Sequence, residues 1–218
     1  MTPADRGKFI SANTEILAPP LVPEVKLHLA HEAVPIWQKT EDELGAIGLA
    51  PPFWAFAWAG GQALARHVID HPESVAGKRI LDLASGSGLV AIAAIRAGAA
   101  SAVAAEIDLF AVEAIALNAA LNAVTISVVA DDLLDQPPPN SIDVILVGDL
   151  FYEKALASRC LAWLEAARAA GLDVLIGDPG RSYLPQEKLT RIAAYAVPVT
   201  RDLEDAEIKK TAVWRLAG

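Results

Sequence analysis

An α/β fold with a mainly parallel sheet is predicted by three observations. Short apolar runs at 79–83, 101–105, 126–129, 142–147 and 173–177 alternate with helical patterns. Each run is followed closely by a glycine or an acid: Gly86, Glu106, Asp132, Asp149 or Asp178. One of them, Arg79-Ile80-Leu81-Asp82-Leu83, passes through Ala84-Ser85-Gly86-Ser87-Gly88 into a helical pattern from Leu89 to Ile95. At 218 residues and 54% hydrophobic content, the chain is long enough for one domain with a sizeable core.

Before that core, residues 2–14 read as a helix with Pro3 in its first turn. Residues 18–23 hold Pro19, Pro20 and Pro23 and read as extended or turn. Val25 to Ala30 alternates and reads as a strand. Thr40-Glu41-Asp42-Glu43 is a capping box for a short helix ending near Gly45. Residues 1–50 thus form a helical and extended appendage, and 51–218 the main domain. Gln62 to Asp70 reads as a helix stopped by His71-Pro72. Asp108 caps a helix over 109–122, Pro137-Pro138-Pro139 is a surface turn, and 153–170 is a helix ended by Gly171. Residues 185–196 read as a last helix, then 197–201 and 211–216 as strands. Joined without a helix, these two form a hairpin, so one strand runs antiparallel. There is no internal repeat and no interdomain linker.

Composition narrows the function. A net charge of −9 disfavours nucleic acid, which needs a basic face. It suits a basic protein partner, though a solvated acidic surface explains it equally. The single cysteine, Cys160, reads as a small buried hydrophobe. The four histidines lack a metal-ligand spacing, so no metal is expected. With no signal peptide or long apolar span, a soluble cytoplasmic protein is expected.

The glycine turn after residue 83 lets a ligand approach the backbone, and Glu106 at the next strand end suits ribose hydroxyls. Counting Gly86, Gly88 and Ala91 leaves a dinucleotide possible. Counting Asp82, Ala84, Gly86 and Gly88 gives the acid-x-Gly-x-Gly-x-Gly pattern of S-adenosylmethionine (SAM) sites, with alanine for the first glycine. Asp82 favours SAM, because a pyrophosphate repels a carboxylate and an ammonium attracts one. A glycine-rich turn without ligand is the remaining alternative. Ligands of open parallel sheets lie beyond the strands' carboxyl ends. The acids there, Glu106, Asp132, Asp149 and Asp178, are not phosphate-binding groups, which points away from kinases. Asp132 reads as a partner for an adenine amino group or as a loop cap.

Asp149, with Lys154 the next cation in sequence, reads as the group that holds an amine acceptor. Phe151, Tyr152 and Trp54 read as an apolar channel that lowers the amine pKa. The run Pro51-Pro52-Phe53-Trp54-Ala55-Phe56-Ala57-Trp58 is either a core plug or an aromatic wall at the reacting centre. In the second reading Trp58 faces the cofactor and Trp54 the acceptor, with Asp178 beside it. The Asn-Pro-Pro-Tyr motif of adenine N-methylation is absent: that position reads Asp149-Leu150-Phe151-Tyr152.

RILDLASGSG, Glu106 and Asp149-Leu150-Phe151-Tyr152 resemble the Rossmann-like class I seven-β-strand methyltransferases that modify lysines of non-histone proteins. PPFWAFAWAGGQALARHVID (51–70), GDLFY (148–152) and LIGDPGR (175–181) resemble the electron transfer flavoprotein beta-subunit lysine methyltransferase family more specifically. The resemblance implies strand order 3-2-1-4-5-7-6 with strand 7 antiparallel. It also implies SAM at Asp82, Ala84, Ser85, Gly86, Gly88 and Glu106. Catalytic roles for Asp149 and Tyr152 and a lysine-bearing loop of the flavoprotein beta subunit as substrate complete what it implies. Ala84 departs from the usual glycine. Relatives that methylate ribosomal protein L11 or nicotinamide make those the alternative substrates. A SAM-binding interaction module without catalysis is a further alternative, against which Asp149 and Tyr152 argue.

Overall fold

A computed structural model of the chain describes residues 2–30, 51–199 and 207–217. The capping-box helix expected near residues 40–45 lies outside them. The N-terminal part holds helix α1 (Pro3–Asn13) and a two-stranded antiparallel ribbon, β1 (Glu15–Leu17) and β2 (Leu27–Leu29). The capping box that starts α1 is formed by Thr2 and Asp5. A single 3-10 turn, Phe53–Ala55, leads to α2 (Ala59–Asp70).

The main sheet then builds in sequence: β3 (Arg79–Leu83), α3 (Leu89–Arg96), β4 (Ser101–Ala105), α4 (Leu109–Leu121) and β5 (Ser127–Val129). It continues with β6 (Val144–Gly148), α5 (Lys154–Ala169) and β7 (Asp173–Asp178). It closes with β8 (Leu189–Pro198) and β9 (Ile208–Leu216). Seven strands lie in the order β5-β4-β3-β6-β7-β9-β8. Pairing is parallel except where β9 meets β7 and β8. Numbered within the sheet, this is the expected 3-2-1-4-5-7-6 with the seventh strand antiparallel.

Side-chain alternation sends each strand's residues to two cores. Ile80, Leu146 and Leu175 pack with Ala63, Leu64 and Ile92 of α2 and α3 on one face. Leu81, Leu83, Ile145, Val147, Val174 and Ile176 pack with Cys160, Trp163 and Leu164 of α5 on the other. Cys160 is fully buried, and burial pushes its thiol up to about 12, as expected for a small hydrophobe.

Strand β1 was not expected, and the strand expected at 197–201 begins earlier, at Leu189, where a helix was expected. Residues 185–196 are not a helix: a single 3-10 turn, Gln186–Lys188, precedes strand β8. Leu189, Ile192, Ala193 and Ala196 fall at helical spacing, yet the segment is an edge strand. It pairs with β9 from Leu189 to Pro198 with a register shift between Arg191 and Ala193. That irregularity, on a half-exposed edge, breaks the alternation that identifies a strand.

In order of connection, β3, β4 and β5 step outward to one side and β6 and β7 to the other. The topological switch point therefore lies between the ends of β3 and β6, where open α/β sheets bind ligands.

Candidate active site

Two residues other than glycine take left-handed backbone conformations at that switch point: Ala84 (φ 53°) after β3 and Asp149 (φ 54°) after β6. The first explains why the motif prefers glycine there, since alanine pays for its Cβ in this region. Gly86 (φ 55°) is also left-handed, and a Cβ on it would meet nothing within 4 Å. Its open side faces a cavity of about 720 Å³, within the usual range for ligand sites.

The turn is held from beneath. Asp82 is almost fully buried and accepts from Ser85 Oγ (2.5 Å) and the Ala91 N–H of α3 (3.0 Å). Burial raises its pKa to about 7. Asp82 therefore supports the loop and the start of α3 rather than lining the cavity. Ser85 and Gly88 also lie in this supporting layer; Gly88 faces Ile115 of α4, with a Cβ placed 3.3 Å from it. Ala84, Gly86 and Leu83 reach the wall.

Glu106 stands across the turn from Asp149. Its Oε2 accepts from the Gly86 N–H (2.9 Å), and its Oε1 from Ile107 (2.8 Å) and Asp108 (3.1 Å). Three of roughly four lone-pair sites are thus used, leaving one on Oε2 at the cavity. Burial is the main cause of its raised pKa. Asp132 lies further along the same wall with Leu133 and Leu134. Its Oδ1 caps Leu134 N–H (3.0 Å) and its Oδ2 pairs with Arg159 (3.0 Å), which also binds Asp135.

The aromatic run forms a further part of the wall. Trp54 is buried and stacks on Phe110 of α4, with centroids 6.4 Å apart and an angle of 9°. Ile10 of α1 joins the same cluster, so the N-terminal helix backs this wall. Trp58 donates from Nε1 to the Phe53 carbonyl (2.9 Å). Both tryptophans line the cavity, and so does Tyr152, which is 49% exposed at the mouth with Phe53 6.0 Å away. The run is thus core and wall at once.

Asp149 is the cavity's most enclosed acid. Its Oδ2 accepts from the N–H groups of Gly60 and Gly61 at the start of α2. That approach is possible because Gly60 and Gly177 are bare: a Cβ on either would strike the other's carbonyl. Its Oδ1 accepts from Arg181 Nε (3.0 Å) and Nη2 (2.8 Å). Burial raises its pKa to about 6 against the opposing pull of Arg181. The sequence offered Lys154 as the nearest cation; the fold brings Arg181 instead. Arg181, like Arg159 beside Asp132, is a cavity residue that sequence reasoning missed. Its signal was its place just past the end of β7, inside the GDPGR block.

Two expected channel residues lie elsewhere. Phe151 is fully buried in the α5-side core with Ala157 and Leu164, because α5 begins just beyond it. Asp178 is buried behind the wall, where its Oδ1 accepts from Gly180 and Arg181 N–H groups.

Sheet order and switch-point cavity together are those of the class I methyltransferase fold. A solved ribosomal protein L11 methylase from Lactobacillus delbrueckii subsp. bulgaricus shares this fold, with a TM-score of 0.52 at 20% identity over 75% of this chain and 81% of its own. The family model described as ribosomal protein L11 methyltransferase (PrmA) matches residues 64–150. The electron transfer flavoprotein beta subunit lysine methyltransferase of Danio rerio is 37% identical over 97% of this chain and 83% of its own length. That of Rattus norvegicus is 35% identical over 94% and 82%. The chain belongs to the electron transfer flavoprotein beta subunit lysine methyltransferase family. Among the described residues, no helix is long and apolar enough to cross a membrane.

Proposed function

We propose that this chain is a SAM-dependent protein-lysine N-methyltransferase whose substrate is the electron transfer flavoprotein beta subunit. The observation that carries the reading is that one cavity holds Glu106 and Asp149, at the ends of the two strands that flank β3 and its Ala84–Gly86 turn. The first suits a ribose, the second an ammonium. Family membership supports the flavoprotein substrate, since relatives sharing most of the chain's length carry that name.

The residues present fit SAM. Gly86 leaves open space where a side chain would fill the cradle. The remaining acceptor site of Glu106 suits a ribose hydroxyl, and the Asp132–Leu134 wall suits adenine. Both cavity arginines, Arg159 and Arg181, are engaged by carboxylates. That leaves a site for a cationic ligand rather than a polyphosphate. When bound, SAM supplies an electrophilic methyl group on a sulfonium.

The chain's own work is positioning and proton control. A lysine amine, with a reference pKa of about 10.4, arrives as an ammonium. Asp149, whose oxygens are held by Arg181 and the α2 amides, attracts it by charge and draws the nitrogen to its side of the cavity. Trp54, Trp58, Phe53 and Tyr152 surround it with apolar and aromatic surface, which favours the neutral amine needed for attack. Their faces also stabilise cationic groups at the reacting centre. Tyr152 sits at the mouth, where the substrate loop enters. No membrane partner is needed by this chemistry, and the expected cytoplasmic location belongs to the same reading.

The test is incubation with labelled SAM and, separately, purified flavoprotein beta subunit, ribosomal protein L11 and nicotinamide. Label on lysine of the flavoprotein subunit is expected. Label on L11 or nicotinamide alone would replace the substrate assignment. SAM binding without transfer to any of them would favour an interaction module.

A further inference from the structure

Arg181 is delivered to Asp149 by its own backbone. Asp178 Oδ1 accepts from the N–H groups of Gly180 (2.6 Å) and Arg181 (2.7 Å), closing a turn at the end of β7. Gly180 takes φ 91° there. From that turn, two guanidinium nitrogens reach the single oxygen Oδ1 of Asp149. The guanidinium carbon lies 5.9 Å from the Trp58 ring centroid. Asp149's other oxygen is held by the α2 amides. Among the described residues, Arg181, Asp178 and the start of α2 thus face Asp149; the first and last favour its charge, and Asp178 opposes it.

We propose that Arg181 is a positioning residue for methyl transfer: it keeps Asp149 ionised and fixes the carboxylate in the cavity wall, so that its charge is available to the acceptor ammonium. This rests on reading the site as a lysine N-methyltransferase. A carboxylate removed from water reverts to the neutral acid unless a cation stays beside it. A neutral carboxyl is a weak partner for an ammonium. Arginine suits the task because it stays charged at any working pH and its rigid fork fixes one oxygen's direction. The need is real here, because Asp149 titrates at about 6 even with Arg181 in place. The face of Trp58 carries the guanidinium so that it stays in the wall.

The test is an NMR titration of carbon-labelled aspartates in wild type, Arg181→Gln and Arg181→Lys, with Asp149→Asn assigning the signal. No substrate is required. In Arg181→Gln the Asp149 midpoint should rise by about one pH unit or more, and in Arg181→Lys it should stay within about half a unit. An unmoved midpoint in Arg181→Gln would overturn the proposal. Should that variant not fold, a midpoint raised by about a unit in Arg181→Lys, despite the retained charge, would overturn it equally. Methyl transfer adds a second readout. The Arg181→Gln deficit should be about 10-fold or more below pH 7 and should shrink as pH rises; a constant factor from pH 6 to 9 would assign Arg181 a structural role only. A shifted midpoint in a protein whose wild type methylates no lysine would support the pairing and contradict the lysine reading.

Discussion

Gly60 and Gly177 meet backbone to backbone where α2 crosses β7, and neither position has room for a Cβ. This contact sets how closely the first amides of α2 approach Asp149. Gly177→Ala would also press on Leu64 Cβ, 2.8 Å away. It should cost about 2 kcal/mol or more of stability. Gly61→Ala, beside it, meets nothing within 4 Å and should be neutral or stabilising by up to about 1 kcal/mol. Urea denaturation of both variants checks the contrast. Equal effects would show that α2 shifts freely against β7.

Glu106→Ala removes three hydrogen-bond acceptances from backbone N–H groups and the support of Gly86. SAM affinity should fall by about 1–3 kcal/mol. Gly86→Val should be worse, because its left-handed backbone resists a branched side chain. Calorimetric titration with SAM reads both, and an unchanged affinity for Glu106→Ala would remove it from the cofactor site.

Asp82 titrates at about 7 in the fold because it is buried. The unfolded chain releases that proton near pH 3.9. Its contribution is therefore complete below about pH 4 and is lost as pH rises through about 7. Asp82→Asn cannot ionise. Relative to wild type it should gain on the order of 1–3 kcal/mol between pH 5 and pH 8. Denaturation midpoints at several pH values test this; a difference that does not change with pH would contradict it.

The parallel core was legible in the sequence because β3, β6 and β7 are buried on both faces and read as unbroken apolar runs. Glycine and acid positions at their ends followed directly, and so did Gly86, Glu106 and Asp149 on one rim. The edge strand β8 was not legible, because its alanines satisfy helical and extended spacing alike. The Asp149–Arg181 pair was hidden for a different reason. It joins loops 32 residues apart, and local periodicity carries no information about which loops meet. Phe151 and Tyr152 are neighbours with opposite fates, one in the core and one at the mouth. The turn that places Asp149 at φ 54° decides between them, and that angle is not written in residue type alone.

The central claim is that the Asp149 carboxylate holds the acceptor ammonium. Asparagine keeps an acceptor oxygen for the α2 amides, removes the charge and turns its amide N–H groups toward Arg181, which loses its partner. Asp149→Asn should therefore lower the melting temperature through the broken Arg181 pair, yet still fold and bind SAM, while methyl transfer falls by about 100-fold or more, about 2.7 kcal/mol of barrier. Single-turnover transfer from labelled SAM to the flavoprotein beta subunit, measured beside the thermal melt of the same preparation, tests this directly. A folded, SAM-binding variant with transfer cut by that factor is the predicted result; transfer at the wild-type rate would show that Asp149 only ties α2 and Arg181 to the sheet.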